Sequence, residues 1–393
     1  MSLRALALID GEHYAPVVRD ALAALPYDVV GAVLVGGTEK IRGDDEYGVP
    51  LVTALDAVEA DLVVDLSDEP VLGPRERLLW ASRALALGLP YVGADFRFDP
   101  PPLHPVETPS LAVIGLGKRI GKTAVAGHVA RVLARERRVV VVAMGRGGPA
   151  EPEVVDTPPT LDGLLALSRS GRHAASDHLE AAAFAGVPAV GCRRAGGGLA
   201  GAPFESNVVE GALAAAQLEP ELLVLDGSGA ALPPVAADVR ILVTNGGHDP
   251  RAGLNAYRVL VSDLVVDTGG ADREAIRSIS EVPVVAAELR LRPTEPLDGR
   301  RTAVFTAGPA PTDGLDADIV HVSRNLARRD ALRDELERVD AEVYLVELKA
   351  AAVDMVAEAA LARGAEVVLA ANDVVSEELD ERLLALVPDR SRA

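Results

Sequence analysis

LAVIGLGKRIGKTAVAGHVARVLARE, residues 111–136, holds the pattern from which the rest of the chain is read. LAVIG is a short apolar run that ends on a glycine, as a buried strand does, and TAVAGHVARVLARE continues as a helix. A glycine-rich loop joins them. Backbone N–H groups and the helix dipole at such a junction favour a phosphate group. Gly121, Lys122 and Thr123 are the end of a phosphate-binding loop, but five residues separate Gly115 from Gly121 where the common motif has four. Two of the five are cations, Lys118 and Arg119. Lys122 is placed to bridge the β- and γ-phosphates of a nucleotide, and Thr123 to offer its hydroxyl to Mg²⁺. A chance Gly-Lys-Thr at a helix start is the plain alternative, and strand, loop and helix in the right order speak against it.

Working outward, apolar runs alternate with helical stretches along the whole chain, which predicts parallel sheets. LRALALI (3–9) opens the first such series and runs into DGEHY, where Asp10, Glu12 and His13 fall at a strand end. That cluster reads equally as a ligand edge or as a capped helix start. FRFDPPPLHPVETPS (96–110) breaks the alternation, because its prolines continue neither a helix nor a central strand. The predicted fold is therefore α/β in three domains: a Rossmann-like unit over 1–105, a P-loop domain with a mostly parallel sheet over 106–295, and a smaller α/β unit over 296–393.

A P-loop needs an acid near the metal, at the end of a neighbouring strand. LLVLDGSG supplies Asp226 there, beside glycines that let the backbone approach a ligand. A turn aspartate is the alternative. MGRGGPAEPEVV (144–155) follows another buried strand and should reach the same sheet edge. Its Arg146 suits a phosphate and its Glu151 or Glu153 a metal or an attacking oxygen. GRHAASDHLEAAAF (171–184) gathers His173, Asp177 and His178 without a further ligand, which favours anion binding over a metal cluster. GCRRAGGGLAGAPFESN (191–207) sets Arg193 and Arg194 before a glycine-rich run, a nest for a multiply charged substrate.

Composition narrows the partners. A formal net charge of −20 repels polyanions, so no nucleic acid or anionic membrane is expected, and phosphorylated ligands need a local cationic pocket. With 49% hydrophobic residues but only 3% aromatic, the cores must be built from Ala, Val and Leu. No apolar run is long enough to span a bilayer and no signal peptide is evident, which places the chain in the cytoplasm. The single cysteine, Cys192, excludes an internal disulfide and reads as a small structural residue.

The loop spacing resembles that of dethiobiotin synthetase and its P-loop relatives, in which an additional loop lysine reaches the transferring phosphoryl group. Lys118 or Arg119 is the candidate for that role. Taken together, IDGEHY (9–14), GKRIGKT (117–123), AMGRGGPAEPE (143–153), GRHAASDHLE (171–180), GCRRAGGGLAGAPFESN (191–207), DGSGAALPPV (226–235) and ELKAAAVD (347–354) resemble the cyclic 2,3-diphosphoglycerate synthetase family. The resemblance implies ATP-dependent closure of an internal phosphoanhydride in 2,3-diphosphoglycerate, with release of ADP and phosphate, by a homodimer.

The expected site follows residue by residue. Lys118, Arg119, Lys122 and Asp226 are the catalytic candidates; Gly115, Gly117, Gly121, Lys122 and Thr123 bind ATP; Thr123, Asp226 and Glu153 hold Mg²⁺. Arg146, His173, Arg193, Arg194, Glu12 and His13 are the substrate-binding candidates. Glu347 and Lys349 of ELKAAAVD are expected on the surface. The rival reading is a dethiobiotin-synthetase-like ligase or kinase acting on another small anionic substrate.

Overall fold

In the computed structural model, which describes residues 2–43, 46–171, 176–308, 311–348 and 353–387, the apolar runs become the strands of three sheets. The first sheet arises from β1 (Arg4–Ile9), β2 (Asp28–Leu34), β3 (Leu51–Val52), β4 (Leu62–Asp65), β5 (Tyr91–Val92) and β6 (Arg97–Phe98), with α1 (Ala15–Ala24) and α2 (Pro74–Ala86) between them. Its order is β3-β2-β1-β4-β5-β6, parallel until the antiparallel β5–β6 pair. A central parallel strand is covered on both faces, which is why β1 reads as unbroken apolar sequence and buries Ala5 through Ile9.

The second sheet contains β7 (Ser110–Gly115), β8 (Val139–Gly145), β9 (Glu153–Val155), β10 (Ala189–Ala195), β11 (Glu205–Ser206), β12 (Leu222–Asp226), β13 (Val239–Thr244), β14 (Leu264–Asp267) and β15 (Val284–Ala286). Helices α3 (Lys122–Leu133), α4 (Leu161–Arg169), α5 (Asp177–Ala185) and α6 (Val208–Ala216) connect its strands; α7 (Asn255–Leu260) and α8 (Arg273–Arg277) follow later. The strand order is β11-β10-β8-β12-β7-β13-β14-β15, with β9 pairing antiparallel to β10. All other pairs except β10–β11 are parallel. β7 lies between β12 and β13, so the ends of three strands converge at the loop that follows Gly115.

The third sheet is built from β16 (Glu288–Pro293), β17 (Arg301–Phe305), β18 (Asp318–Ser323), β19 (Val343–Glu347) and β20 (Glu366–Val375), in the order β16-β20-β19-β17-β18. Helices α9 (Arg329–Leu336), α10 (Val353–Ala362) and α11 (Leu379–Leu386) accompany it. The fold is thus α/β throughout, with mostly parallel sheets.

The chain divides into two compact units. One comprises Met1–Pro102, Asp249–Val261 and Asp272–Val282; the other comprises Leu103–His248, Ser262–Ala271 and Pro283–Ala393. Helices α7 and α8, which come from within the expected P-loop domain, therefore belong with the first sheet, and α7 packs on α2. The third sheet belongs with the second. Among the described residues, no helix is long and apolar enough to cross a membrane.

Small aliphatic side chains fill the interior. One cluster joins Leu111 and Val113 of β7 with Val125, Val129, Val132 and Leu133 of α3 and Leu379 and Leu383 of α11. Their positions on α3 follow the helical repeat, which presses its apolar stripe against the sheet and fixes its N-terminus at the loop. A Leu→Ala change in such a core costs about 2–5 kcal/mol. One expectation is corrected: Glu347 is buried, not superficial. Its Oε2 accepts from Ala307 N at 2.6 Å and its Oε1 from Asn372 Nδ2 at 2.7 Å. A buried carboxylate is tolerated where both oxygens are hydrogen-bonded. Lys349 lies outside the described residues.

Candidate active site

The loop from Gly115 to Gly121 is held in shape from behind. Gly121 adopts φ 78° immediately before α3, a left-handed turn that suits glycine and aims the first helical N–H groups into the loop. Arg119 also lies in the left-handed region, at φ 59°, which costs a side-chain-bearing residue on the order of 1–3 kcal/mol. The Thr268 hydroxyl lies 2.9 Å from Ile120 O and 3.1 Å from Thr244 O, tying the loop to the end of β14. Asp267 Oδ1 organises that end by accepting from Gly269 N at 2.9 Å and Ala271 N at 3.0 Å. On the β13 side, the His248 ring lies against Gly117. A Cβ there would stand 2.1 Å from its Cε1, so any larger residue would have to displace the ring.

Lys122 and Asp226 meet at the centre. Both are buried, and Lys122 Nζ pairs with Asp226 Oδ1. Registration explains the meeting: Asp226 sits opposite Val113 on the loop strand and opposite Ala143 on β8. Burial pushes the Asp226 carboxyl up, to about 6, reinforced by the charge of Asp177 and opposed by Lys122 and by a hydrogen bond from Thr123. The strand-end acid, the loop lysine and the loop threonine therefore form one connected group.

A cavity of about 440 Å³ opens in front of this group, lined by the loop residues 117–123, Arg146, Asp177, Glu180, Ser228 and Gly229. Three basic side chains approach Gly229, Arg146 and Arg194 by their guanidinium ends and Lys118 by its aliphatic stem. A Cβ at that position would lie 3.2 Å from Arg146 Nη2, 3.7 Å from Lys118 Cγ and 3.8 Å from Arg194 Nη2. Arg194 is anchored by donating from Nη2 to Ser228 O at 2.8 Å. Burial and the neighbouring Arg146 charge lower its pKa. Like charges brought this close call for an anion between or beside them. Arg119 also lines the cavity, at its exposed side.

Other sequence candidates lie elsewhere. Arg193 is turned outward, with Nη2 3.6 Å from Glu205 Oε1. Glu153 lines a neighbouring cavity of about 220 Å³ together with Ser176 and the buried His178. His173 lies outside the described residues. In the first unit, Asp10 is fully buried and organises its strand end: Oδ1 accepts from Glu12 N at 2.9 Å and pairs with His13 Nδ1 at 2.8 Å, and Oδ2 accepts from Asp68 N at 2.7 Å. Glu12 Oε1 accepts from Glu39 N at 3.4 Å. Cys192 is buried beneath Gly211, and burial pushes its thiol up to about 12. That makes it inert.

Two features escaped the sequence reading. His248 carries no local signal, since its place on the loop depends on β13 being the neighbour of β7. Asp177 is named above with His173 and His178, but its companion Glu180 reads as part of the acidic first turn of a helix, which capping alone explains. Their spacing of three residues, which puts both on one face of α5, was the available clue. Among the described residues no group of three or more His, Cys, Asp or Glu forms a ready metal cage. Mg²⁺ needs none, because it keeps waters and phosphate oxygens and takes one or two protein ligands. The Thr123 hydroxyl and Asp226 fit that requirement.

Known proteins match the chain over nearly its whole length. The N-terminal, P-loop and C-terminal domain models of cyclic 2,3-diphosphoglycerate synthetase match residues 4–99, 110–288 and 301–373 respectively. The cyclic 2,3-diphosphoglycerate synthetase of Rubrobacter xylanophilus is 48% identical over 98% of this chain and 97% of its own. That of Thermococcus kodakarensis is 41% identical over 94% of each, and that of Methanothermus fervidus 37% identical over 97% and 96%. With all three domain models matched in order, and such relatives matched nearly end to end, the chain belongs to the cyclic 2,3-diphosphoglycerate synthetase family.

Proposed function

We propose that this chain uses ATP to close 2,3-diphosphoglycerate into its cyclic phosphoanhydride, releasing ADP and phosphate. The observation that carries the proposal is the approach of the Arg146 and Arg194 guanidinium groups to Gly229, with Lys118 lining the same cavity, beside a P-loop whose lysine already faces its strand-end acid. A nucleotide alone does not call for that many cations. Two phosphate groups forced together in one small molecule do, since like charges 4 Å apart repel by about 4 kcal/mol at an effective dielectric constant of 20.

In the reaction, one phosphate of the substrate first takes the γ-phosphoryl group of ATP, and ADP leaves. An oxygen of the second phosphate then attacks the phosphorus of the first. The bond to the transferred phosphate breaks, phosphate departs, and the ring closes. Lys122 exchanges Asp226 for the β- and γ-phosphates as the nucleotide arrives, leaving the carboxylate and the Thr123 hydroxyl to hold Mg²⁺. When bound, Mg²⁺ neutralises charge on the phosphates. Lys118 and Arg119 neutralise the group in transfer, while Arg146 and Arg194 hold the substrate's phosphates. Asp177 and Glu180 face the same cavity and keep it from becoming a trap for free phosphate. His173 is proposed to extend the substrate site. A homodimer in the cytoplasm completes the reading; light scattering tests the first part, where a mass equal to the 40.9 kDa chain would refute it.

Phosphorus NMR tests the reaction itself. With ATP, Mg²⁺ and 2,3-diphosphoglycerate, anhydride resonances should grow as the two monoester signals disappear, and Lys122→Ala should show neither change. ADP formation without anhydride signals would sink the cyclisation and leave a plain kinase or ligase.

A further inference from the structure

Phe204 is the most exposed large apolar side chain among the described residues, at 95%. A loose backbone is not the reason. Its N–H donates to Ala195 O at 3.0 Å, and the two residues after it form β11 against the end of β10. Upstream, Gly198 N donates to Ala202 O at 2.8 Å and Leu232 N to Gly201 O at 2.8 Å, so the turn is closed on itself and tied to the segment after β12. A ring held out in water from a fixed backbone forgoes the stabilisation that burial gives an apolar group. Rotation about its own side-chain bonds is enough to move it to a covered place.

Arg194 connects that ring to the loop cavity. Gly196 lies against Phe204, where a Cβ would stand 2.7 Å from the Phe204 Cβ, and Gly196 O accepts from Arg194 Nη1. The other terminal nitrogen of Arg194 donates to Ser228 O at 2.8 Å, and Ser228 and Gly229 line the cavity. One guanidinium therefore reaches from the foot of Phe204 to the wall of the cavity. A phosphate that takes the Arg194 donors frees Gly196 O in the same step. We propose that Phe204 turns over the filled cavity and keeps water from the phosphorylated substrate, a reading that rests on the reaction above. That intermediate has two fates. An oxygen of the second phosphate attacks the phosphorus of the first, the bond from that phosphorus to the bridging oxygen breaks, and the ring closes as phosphate leaves. Water instead attacks the transferred phosphorus, whose bond to the bridging oxygen breaks, giving phosphate and the uncyclised substrate and consuming ATP without product. Excluding water favours the first fate.

Fluorine NMR of the full chain made with 4-fluorophenylalanine tests the covering. There are five phenylalanines, and the Phe204 signal is the one missing in Phe204→Leu. We expect this signal to differ between H₂O and D₂O in the chain alone and with Mg²⁺ and ADP, and to lose that difference once 2,3-diphosphoglycerate is added to both. Phosphorus NMR tests the consequence. The ratio of ADP to cyclic anhydride should be about one in the parent chain, about tenfold or more higher in Phe204→Ser, and largely restored in Phe204→Leu. A merely structural role would lower both products together and leave the ratio alone. A solvent difference that persists with both ligands, one already absent without them because a second copy covers the ring, or an unchanged ratio in Phe204→Ser would each overturn the proposal. If the parent chain still forms the anhydride, the cyclisation survives that failure; a ring covered by the ligands with no anhydride formed sinks the cyclisation and keeps the cover.

Discussion

Asp226 is a carboxylate kept where burial raises its pKa to about 6, and that shift has a sign that can be measured. As pH falls through about 6 the group takes a proton, ceases to be a metal ligand and lets go of Lys122. The kcat/KM for ATP, which reports the groups of the free enzyme, should therefore drop below that pH, and a profile flat down to pH 5 would contradict the role. For stability the sign is the opposite. A carboxyl whose folded pKa exceeds its unfolded value stabilises the fold below the unfolded value and loses that contribution as pH rises through the folded one. Stability is thus given up to keep a charged acid behind the loop. Gly117 allows a test at the same scale. Alanine there drives a methyl group into the His248 ring, so Gly117→Ala should lower kcat/KM for ATP about tenfold or more. Removing the ring as well, in Gly117→Ala/His248→Ala, should restore part of the loss, and an alanine variant with unchanged kinetics would show that the contact is slack.

Helix α3 links the loop to the end of the chain. His128 Nε2 pairs with Asp380 Oδ1 on α11 at 2.7 Å, and Arg131 reaches Asp373 on β20 at 3.4 Å. Burial lowers the His128 pKa against the opposing pull of Asp380, so at neutral pH a neutral ring donates to the carboxylate. Asp380→Ala should destabilise the chain by about 1 kcal/mol, discounted because the carboxylate is partly exposed. A double-mutant cycle with His128→Ala in urea would check it, and additive losses would mean that the two do not interact. These contacts show what sequence makes legible and what it does not. The loop, its helix and Asp226 were readable because their signals are local: glycine spacing, a strand end, a helical repeat. Asp380, His248 and the partners of Glu347 were not, because each meets its neighbour across more than a hundred residues or through a strand order that apolar runs leave open. Glu347 illustrates the point, since a charged residue beside a lysine reads as surface until Ala307 N and Asn372 are brought against it.

At the scale of the molecule, the first unit borrows α7 and α8 from far along the chain. The strand pattern and the proline break suggest that residues 1–105 stand alone; the packing of α7, which buries Ala256, Tyr257 and Val259, says that they lack a partner for α2. A fragment of residues 1–105 should therefore unfold more readily than the same unit in the full chain, by roughly 3 kcal/mol. Trp80 lies on α2 and is the sole tryptophan, so its fluorescence reports this unit alone, and equal urea midpoints would mean that α7 contributes nothing. The sole cysteine offers a different convenience. Because Cys192 is sealed beneath Gly211 and its thiol stays protonated, the native chain is blank to maleimide reagents. A dye or spin label can thus be attached at any one engineered surface cysteine without first removing the natural residue, so movements of either unit during turnover can be followed in an otherwise unaltered enzyme.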